Sequence, residues 1–373
     1  MTLNAAKLRI AVLFGGRSGE HEVSLMSARS VLSVLDQEKY DVIEIGITHE
    51  GAWLTGKNVL SAFEQGNTEG LVPAGIFPDP SKPGLYVFGP ESQVREVIPV
   101  DVYFPVIHGT YGEDGSIQGL FEMAGAAYVG AGITGSSVGM DKGVFKSVMI
   151  ACHIPVVESI TVLRSRIEKD MEQIIGQAEA LGPYPLFIKP ANLGSSVGVT
   201  KCRTRSDAAE GLQEAARFDR RILIERGISN PREIEVSIIG NDQPQASIPG
   251  EIIPGADFYS YDAKYISDNS RLCIPAELSE KQVKDIQKYA IQAFKAIDCC
   301  GMARVDFLLD QQSGEIFLNE INTIPGFTKI SMYPKLWNAS GMSYQELVDR
   351  LIELAVERKN ENSRTTHHFR SDL

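Results

Sequence analysis

The sequence predicts a mixed α/β and α+β protein of two or three domains that opens with a doubly wound α/β domain. Three observations predict it. A chain of 373 residues is too long for one ordinary core. Its first segments run strand, glycine turn, helix, strand, which is how such a domain begins. From Val156 onward the pattern changes, and the strands Ile222 to Glu225 and Glu233 to Ile239 have antiparallel-sized connections, consistent with a smaller α+β unit.

The first strand is the apolar run Leu8 to Phe14, which ends at Gly15-Gly16 and reads as a buried parallel strand. Leu25, Ala28, Leu32 and Leu35 then recur at helical spacing. A second strand follows at Asp41 to Thr48, and a third, Val102 to Ile107, leads into the loop from His108 to Gly115. Between them, residues around Thr55 to Gln93 are rich in Gly, Pro and Ser and are expected to form an irregular surface loop. Further on, Val156 to Leu163, Leu186 to Lys189, Ile222 to Glu225 and Glu233 to Ile239 read as strands, with one charged helix around Glu168 to Leu181. The last block holds a helix over 280–297, strands near 302–309 and 315–321, and an amphipathic helix from Tyr344 to Arg358 with Leu347, Leu351 and Leu354 inward. Domain limits of 1–125, 126–232 and 233–373 are expected.

Composition narrows the function. The chain is 43% hydrophobic and 23% charged, as in soluble globular proteins. No run reaches the roughly 18 apolar residues of a membrane span. Lys7 and Arg9 lead directly into a strand, without the features of a signal peptide. Cys152, Cys202, Cys273, Cys299 and Cys300 are scattered and odd in number, so reduced thiols in the cytoplasm are expected. A net charge of -12 argues against a nucleic-acid-binding face but leaves room for a nucleotide pocket.

Two stretches carry the strongest chemical signal. Lys189-Pro190-Ala191-Asn192-Leu193-Gly194-Ser195-Ser196-Val197-Gly198 sets a lysine at a strand end before a loop of small residues. Such a loop suits a flap over phosphates, because its backbone N–H groups can approach an anion closely. It lacks the Gly-Lys-Ser/Thr ending of a phosphate-binding P-loop, and by itself it is equally compatible with an ordinary hairpin. The second stretch is a strand pair: Arg304 and Asp306 lie two residues apart, as do Glu320 and Asn322. Alternation therefore puts each pair on one face. Asp, Glu and Asn oxygens are ligands for Mg²⁺, and an arginine beside them suits a developing anion; a solvated ion-pair face is the alternative. Thr323 to Met332 contains a Pro-Gly turn whose N–H groups, with Ser331, could meet a carboxylate, or which could be a plain turn. At Gly15-Gly16-Arg17-Ser18-Gly19, Phe14 stands where a dinucleotide-binding loop needs its first glycine, so a nicotinamide-dependent dehydrogenase is disfavoured. Glu20, His21 and Glu22 at the following helix start suit a ligand amine better than a pyrophosphate, and are also ordinary helix-start charges.

Taken in order, these segments resemble the D-alanine–D-alanine ligases of the ATP-grasp superfamily. The resemblance runs from Gly15 to about Leu354. It covers Gly15-Gly16-x-Ser18-x-Glu20-x-Glu22-Val23-Ser24, His108-Gly109 with Gly112-Glu113-Asp114-Gly115, and Met140-Asp141-Lys142. It continues through Lys189-Pro190 with Gly194 to Gly198, and Phe258-Tyr259-x-Tyr261-x-Ala263-Lys264-Tyr265. It closes with Arg304-x-Asp306 and Glu320-x-Asn322-Thr323-x-Pro325-Gly326. The resemblance implies the ATP-grasp fold, with a substrate-binding N-terminal domain and two α+β parts enclosing ATP, and a lid loop over 257–270.

The resemblance also implies roles. Lys142, Lys189 and Ser196 would hold ATP phosphates, and Glu225 and Glu233 the adenine and ribose. Asp306, Glu320 and Asn322 would hold two Mg²⁺ ions, or Mn²⁺. Glu20 would bind the ammonium of the first D-alanine, completed by Ser195 and Tyr265, with His108 nearby. Arg304 and the Gly326 N–H would stabilise an oxyanion, Ser331 would hold the carboxylate of the second D-alanine, and Met332 and Lys264 would also bind substrate. The implied reaction takes ATP and two D-alanines through a D-alanyl phosphate to D-alanyl-D-alanine for peptidoglycan synthesis, in a cytoplasmic homodimer with no nucleic-acid or membrane partner. The tyrosines of the 257–270 segment favour an amine over D-lactate as nucleophile. Another ATP-grasp ligase would share Lys142, Lys189 and the metal set but not Glu20, Ser195 and Tyr265. A non-catalytic relative would have lost metal ligands or Arg304, and none is lost.

Overall fold

The structure, a computed structural model, describes residues 6–194, 197–253, 271–328 and 330–366. The first sheet contains β1 (Leu8–Gly15), β2 (Tyr40–Ile47), β3 (Trp53–Thr55), β4 (Val72–Gly75), β5 (Leu85–Phe88), β6 (Val94–Ile98) and β7 (Val102–Pro105), in the order β6-β5-β4-β3-β2-β1-β7. β7, β1 and β2 are parallel, as the apolar run of β1 predicts, and its residues Ile10 to Phe14 are fully buried. Helix α1 (His21–Leu32) returns the chain along this sheet and buries Val23, Leu25, Ala28 and Val31.

The expectation of an irregular loop from Thr55 to Gln93 is corrected here. That segment holds α2 (Val59–Glu64), β4 and β5, and with β6 it extends the sheet antiparallel from β2 outward. These strands are three to five residues long, so their apolar content is thin and the Gly and Pro of the intervening turns dominate the composition. Leu85 and Val87 still alternate into the core.

The second sheet is antiparallel, with order β10-β9-β11-β8: β8 (Ser159–Leu163), β9 (Leu186–Pro190), β10 (Thr200–Cys202) and β11 (Arg221–Arg226). The one helix expected over Glu168 to Leu181 is two, α6 (Arg164–Lys169) and α7 (Met171–Glu179). Asp170 leaves helical geometry, and its carboxylate accepts the Gln173 N–H to start the second. Helix α8 (Arg205–Phe218) completes this layer behind a Thr204/Asp207 capping box.

The third sheet runs β15-β14-β12-β16-β17, with β13 beside β12. Its strands are β12 (Arg232–Gly240), β13 (Gln245–Ala246), β14 (Gly250–Ile253), β15 (Arg271–Cys273), β16 (Gly301–Leu309) and β17 (Ile316–Asn322). Between the first two sheets the chain forms α3 (Ser116–Met123), α4 (Ile133–Met140) and α5 (Lys142–Ala151). Phe145 and Met149 of α5 join the core of the third sheet, together with Ile286, Ala290, Ala293 and Phe294 of α9 (Glu280–Ala296). After α10 (Met332–Ala339), helix α11 (Tyr344–Asn362) carries Leu347, Val348, Leu351 and Leu354 against β7, β12 and β16, in one core with Val102 and Phe104 of the first sheet and Ile239 and Met302 of the third. Among the described residues no helix is long and apolar enough to cross a membrane.

Candidate active site

The polar face of β16 and β17 depends on an irregularity in their pairing. Arg304 lies opposite Asn322 and Asp306 opposite Glu320, but Phe307 lies opposite Leu318, so Asn319 is an extra residue. This bulge reverses the alternation of β17. Leu318 and Ile321 both face the core, while Glu320 and Asn322 share the other face with Arg304 and Asp306. The predicted grouping of the four side chains is present. Asp306 also lies opposite Glu235 of β12, so three carboxylates sit side by side across three strands.

Like charges this close need a cation, and Arg304 is one. Its Nε is 2.7 Å from Asp306 Oδ1, its second nitrogen 2.6 Å from Oδ2, and Nε also lies 3.0 Å from Glu235. Burial works against the guanidinium, yet Asp306 and Glu235 outweigh it and keep Arg304 charged. Asn322 donates to Asp306 Oδ2 at 3.0 Å. Asp306, Glu320 and Asn322 offer hard oxygens on one face, a donor set that fits Mg²⁺ or Mn²⁺.

A lysine-rich region adjoins this face. Lys142, the first residue of α5, gives its backbone N–H to Ala191 O and its ammonium to Leu193 O at 2.7 Å, and lies 3.7 Å from Glu320. Lys189 on β9 pairs with Glu225 on the adjacent β11, and Lys146, one turn after Lys142, pairs with the other Glu225 oxygen at 2.7 Å. Burial raises the Glu225 pKa, but the two lysines outweigh it and hold the carboxyl down at about 2. Glu233, on β12, is half-buried and close enough to Lys189 to help keep that lysine charged.

The third cluster surrounds Glu20, which immediately precedes α1. Ser18 accepts the Glu20 N–H at 3.2 Å and donates to His108 O at 2.8 Å, which fixes the glycine turn against the 108–115 loop. The glycines here are required by close approach. A Cβ on Gly109, whose φ is +74°, would strike Glu20 Oε2, and one on Gly194 would lie 2.9 Å from the same oxygen. His108 is buried, with Nδ1 3.0 Å from Ile324 O and Nε2 2.9 Å from Ser27 Oγ. A carbonyl can only accept, so Nδ1 carries the proton and Nε2 accepts from Ser27. Burial depresses the His108 pKa and keeps this form neutral, although Glu20 and the Ile324 carbonyl pull the other way. Both ring nitrogens are thus engaged, one with Ser27 and the other with the Ile324 carbonyl.

Glu113 holds that loop from the other side. Its Oε1 accepts the Ile324 N–H at 3.2 Å and its Oε2 the Gly109 N–H at 2.7 Å. Removal from water, and then the nearby Glu20 charge, push its pKa up to about 8, against the two N–H donors and Arg304. Both backbone groups of Ile324, two residues past Asn322, are therefore gripped by the 108–115 loop. This contact locks the Glu20 cluster to the carboxylate face.

Beyond it, Gly326 lies against Ser331, where a Cβ would be 2.8 Å from Oγ. Ser331 precedes α10 and accepts the Thr328 N–H at 3.1 Å. The Met332 side chain is buried with Ile252 and Leu336, so its backbone N–H at the helix start is the part that can meet a ligand. Ser195, Ser196, Lys264, Tyr265 and the 257–270 segment lie outside the described residues. The sequence reading gave no role to Glu113 or Lys146; Lys146 stands four residues after Lys142, the helical spacing that puts both on one face. His21, Glu22 and His49 also approach within 4.8 Å of one another. The two rings stack 3.8 Å apart at 22°, so their in-plane lone pairs run nearly parallel and do not converge on an ion.

Comparison with known proteins agrees with this geometry. The family described as D-ala D-ala ligase C-terminus matches residues 148–353, and D-ala D-ala ligase N-terminus matches 9–131. A D-alanine–D-alanine ligase of Heliobacterium modesticaldum is 50% identical over 96% of this chain and 97% of its own. One from Natranaerobius thermophilus is 47% identical over 97% and 99%. Among solved structures, the D-alanine-D-alanine ligase of Coxiella burnetii aligns with a TM-score of 0.82 at 38% identity, over 96% of this chain and 97% of that one. The VanG D-Ala:D-Ser ligase of Enterococcus faecalis aligns at 0.83 and 35%, over 94% and 100%.

Proposed function

This chain belongs to the D-alanine–D-alanine ligase family, is an ATP-dependent ligase that joins two D-alanine molecules, and from that premise we propose how its residues share the work. Residues 1–125 bind the first D-alanine, 126–232 close over ATP, and 233–373 hold the metal and the second D-alanine. The observation that supports this arrangement best is the double grip on Ile324, which joins Glu20 to the Arg304–Asp306–Glu320–Asn322 face.

A carboxylate is a poor acyl donor, so the first D-alanine must be activated. Its carboxylate oxygen attacks the γ-phosphorus of ATP, the bond to the ADP oxygen breaks, and D-alanyl phosphate forms. Glu20, with Ser195 and Tyr265, holds the substrate ammonium and so orients the carboxylate. Lys142 and Lys189, with Ser196, neutralise phosphate oxygens, and Glu225 and Glu233 meet adenine and ribose. Asp306, Glu320 and Asn322 would hold Mg²⁺ or Mn²⁺, which would supply positive charge beside the phosphoryl oxygens. The amine of the second D-alanine then attacks the carbonyl, the carbon–oxygen bond to phosphate breaks, and the amine loses a proton. Arg304 and the Gly326 N–H face the oxyanion of this step, while Ser331, the Met332 N–H and Lys264 hold the incoming carboxylate. The 257–270 loop keeps water from the acyl phosphate.

We read the enzyme as cytoplasmic and as a homodimer paired through its N-terminal part, which sedimentation would check. The deciding assay for the chemistry is phosphate release from ATP and Mg²⁺ with D-alanine, L-alanine, D-serine or D-lactate, with products identified by mass. D-alanine-dependent dipeptide formation supports the assignment. Phosphate release indifferent to D-alanine would overturn the substrate, and comparable turnover of D-serine or D-lactate would overturn the selectivity.

A further inference from the structure

Glu225 is shared between two lysines that have unequal freedom. Lys189 lies at the end of β9, beside the 192–194 loop, with its side chain about one-seventh exposed, at 15%. Lys146 is sealed in, 2% exposed, and besides Glu225 it reaches the Val157 carbonyl at 3.4 Å. An ammonium so far from water is costly unless a partner holds it, and a methionine of similar length would fill the same space. Its retention calls for a reason beyond packing.

We propose that Lys146 is a positioning residue for nucleotide binding: a standing counter-cation that keeps Glu225 compensated while Lys189 turns from it to the phosphates of ATP. The inference rests on the reading of Lys189 given above. Each Glu225 oxygen faces one lysine, so transfer of Lys189 leaves the other pair intact. Glu320 also acts electrostatically on both ammoniums and Glu233 on Lys189, so Lys189 keeps carboxylate neighbours besides Glu225. Without Lys146, Glu225 has Lys189 as its nearest cation, and ATP must then strip that lysine from an otherwise uncompensated buried carboxylate. Lys146 itself touches no substrate in this scheme.

Calorimetric titration of the full chain with Mg²⁺ tests it, with ATP and adenosine as probes. In Lys146→Met the ATP Kd should rise about tenfold, the weight of one charged contact, while adenosine, which has no phosphates, stays within about twofold. Lys146→Arg keeps the charge and should bind ATP within about threefold of the parent. The charge-balanced double variant K146M/E225Q, expected to fold even where K146M does not, should bind ATP as E225Q does, because the effect passes through Glu225. Parental ATP affinity in K146M, an equal loss for adenosine, or a tenfold gap between E225Q and the double variant would overturn the proposal. K189M separates the two layers: parental ATP affinity there would overturn the phosphate role of Lys189 and this inference with it. Weak ATP binding in K189M with normal binding in K146M would overturn this inference alone.

Discussion

Replacing Glu113 with glutamine should flatten the pH dependence of folding stability between about pH 5 and 8. The folded-state pKa of Glu113 is raised from an ordinary 4.5 to about 8, first by removal from water and then by Glu20. Between those values the native protein keeps a proton that the unfolded chain has released. The native state therefore binds more protons, and stability falls as pH rises, by about 1.4 kcal/mol per pH unit. Across the window this would reach about 5 kcal/mol; partial solvent contact of the half-buried side chain reduces it to about 2. Glutamine abolishes the titration. It also leaves either the Gly109 or the Ile324 N–H facing an amide NH₂, a loss of about 1–3 kcal/mol that is the same at every pH. The offset and the slope are thus separable. Urea unfolding of the ligand-free protein at about pH 5.5, 6.5 and 7.5, followed by circular dichroism, reads both. If parent and variant lose the same stability over that range, to within about 0.5 kcal/mol, Glu113 is not the protonated carboxyl described here.

Three further outcomes follow from the same geometry. Arg304→Met should lower kcat about 10²–10³-fold in the phosphate-release assay with little change in the KM for ATP, and should lower the unfolding midpoint because Glu235 and Asp306 lose their shared cation. Asp306→Asn should raise the Mg²⁺ concentration needed for half-maximal rate about 10–100-fold, and chelation of Mg²⁺ from the parent enzyme should stop turnover until the ion is restored. Leu351→Ala, at a fully buried position of α11, should destabilise the protein by about 2–5 kcal/mol in urea unfolding, with KM values unchanged in the folded fraction.

Where side-chain alternation and apolar runs are strong, the sequence announces the structure. The run Leu8 to Phe14, ending at a glycine pair, reads as an inner strand, and the two-residue spacings of Arg304/Asp306 and Glu320/Asn322 mark one polar face for each pair. What alternation could not convey was the extra residue at Asn319, which lets Leu318 and Glu320 point opposite ways despite their even spacing. The strands β3 to β6 were missed because each is only three to five residues long, so alternation repeats too few times to register even where Leu85 and Val87 are buried. Glu113 and Lys146 were overlooked for another reason: their chemistry comes from burial and from partners 211 and 79 residues away, Ile324 and Glu225. Local sequence carries no trace of such separations.

The packing of α11 on the first sheet has a consequence for the order of biosynthesis. Phe14 leaves the ribosome 333 residues before Leu347, yet Ile10, Val12 and Phe14 share one core with Leu347, Val348 and Leu351. At about 5–20 residues per second, that face of the first sheet waits tens of seconds for its cover. During that interval α1 covers part of this core, while Val102 and Phe104 of β7 wait for α11, so chaperone capture should persist until α11 emerges. A chain terminated before Tyr344 would keep that surface permanently uncovered, which turns loss of α11 into a defect of the first sheet.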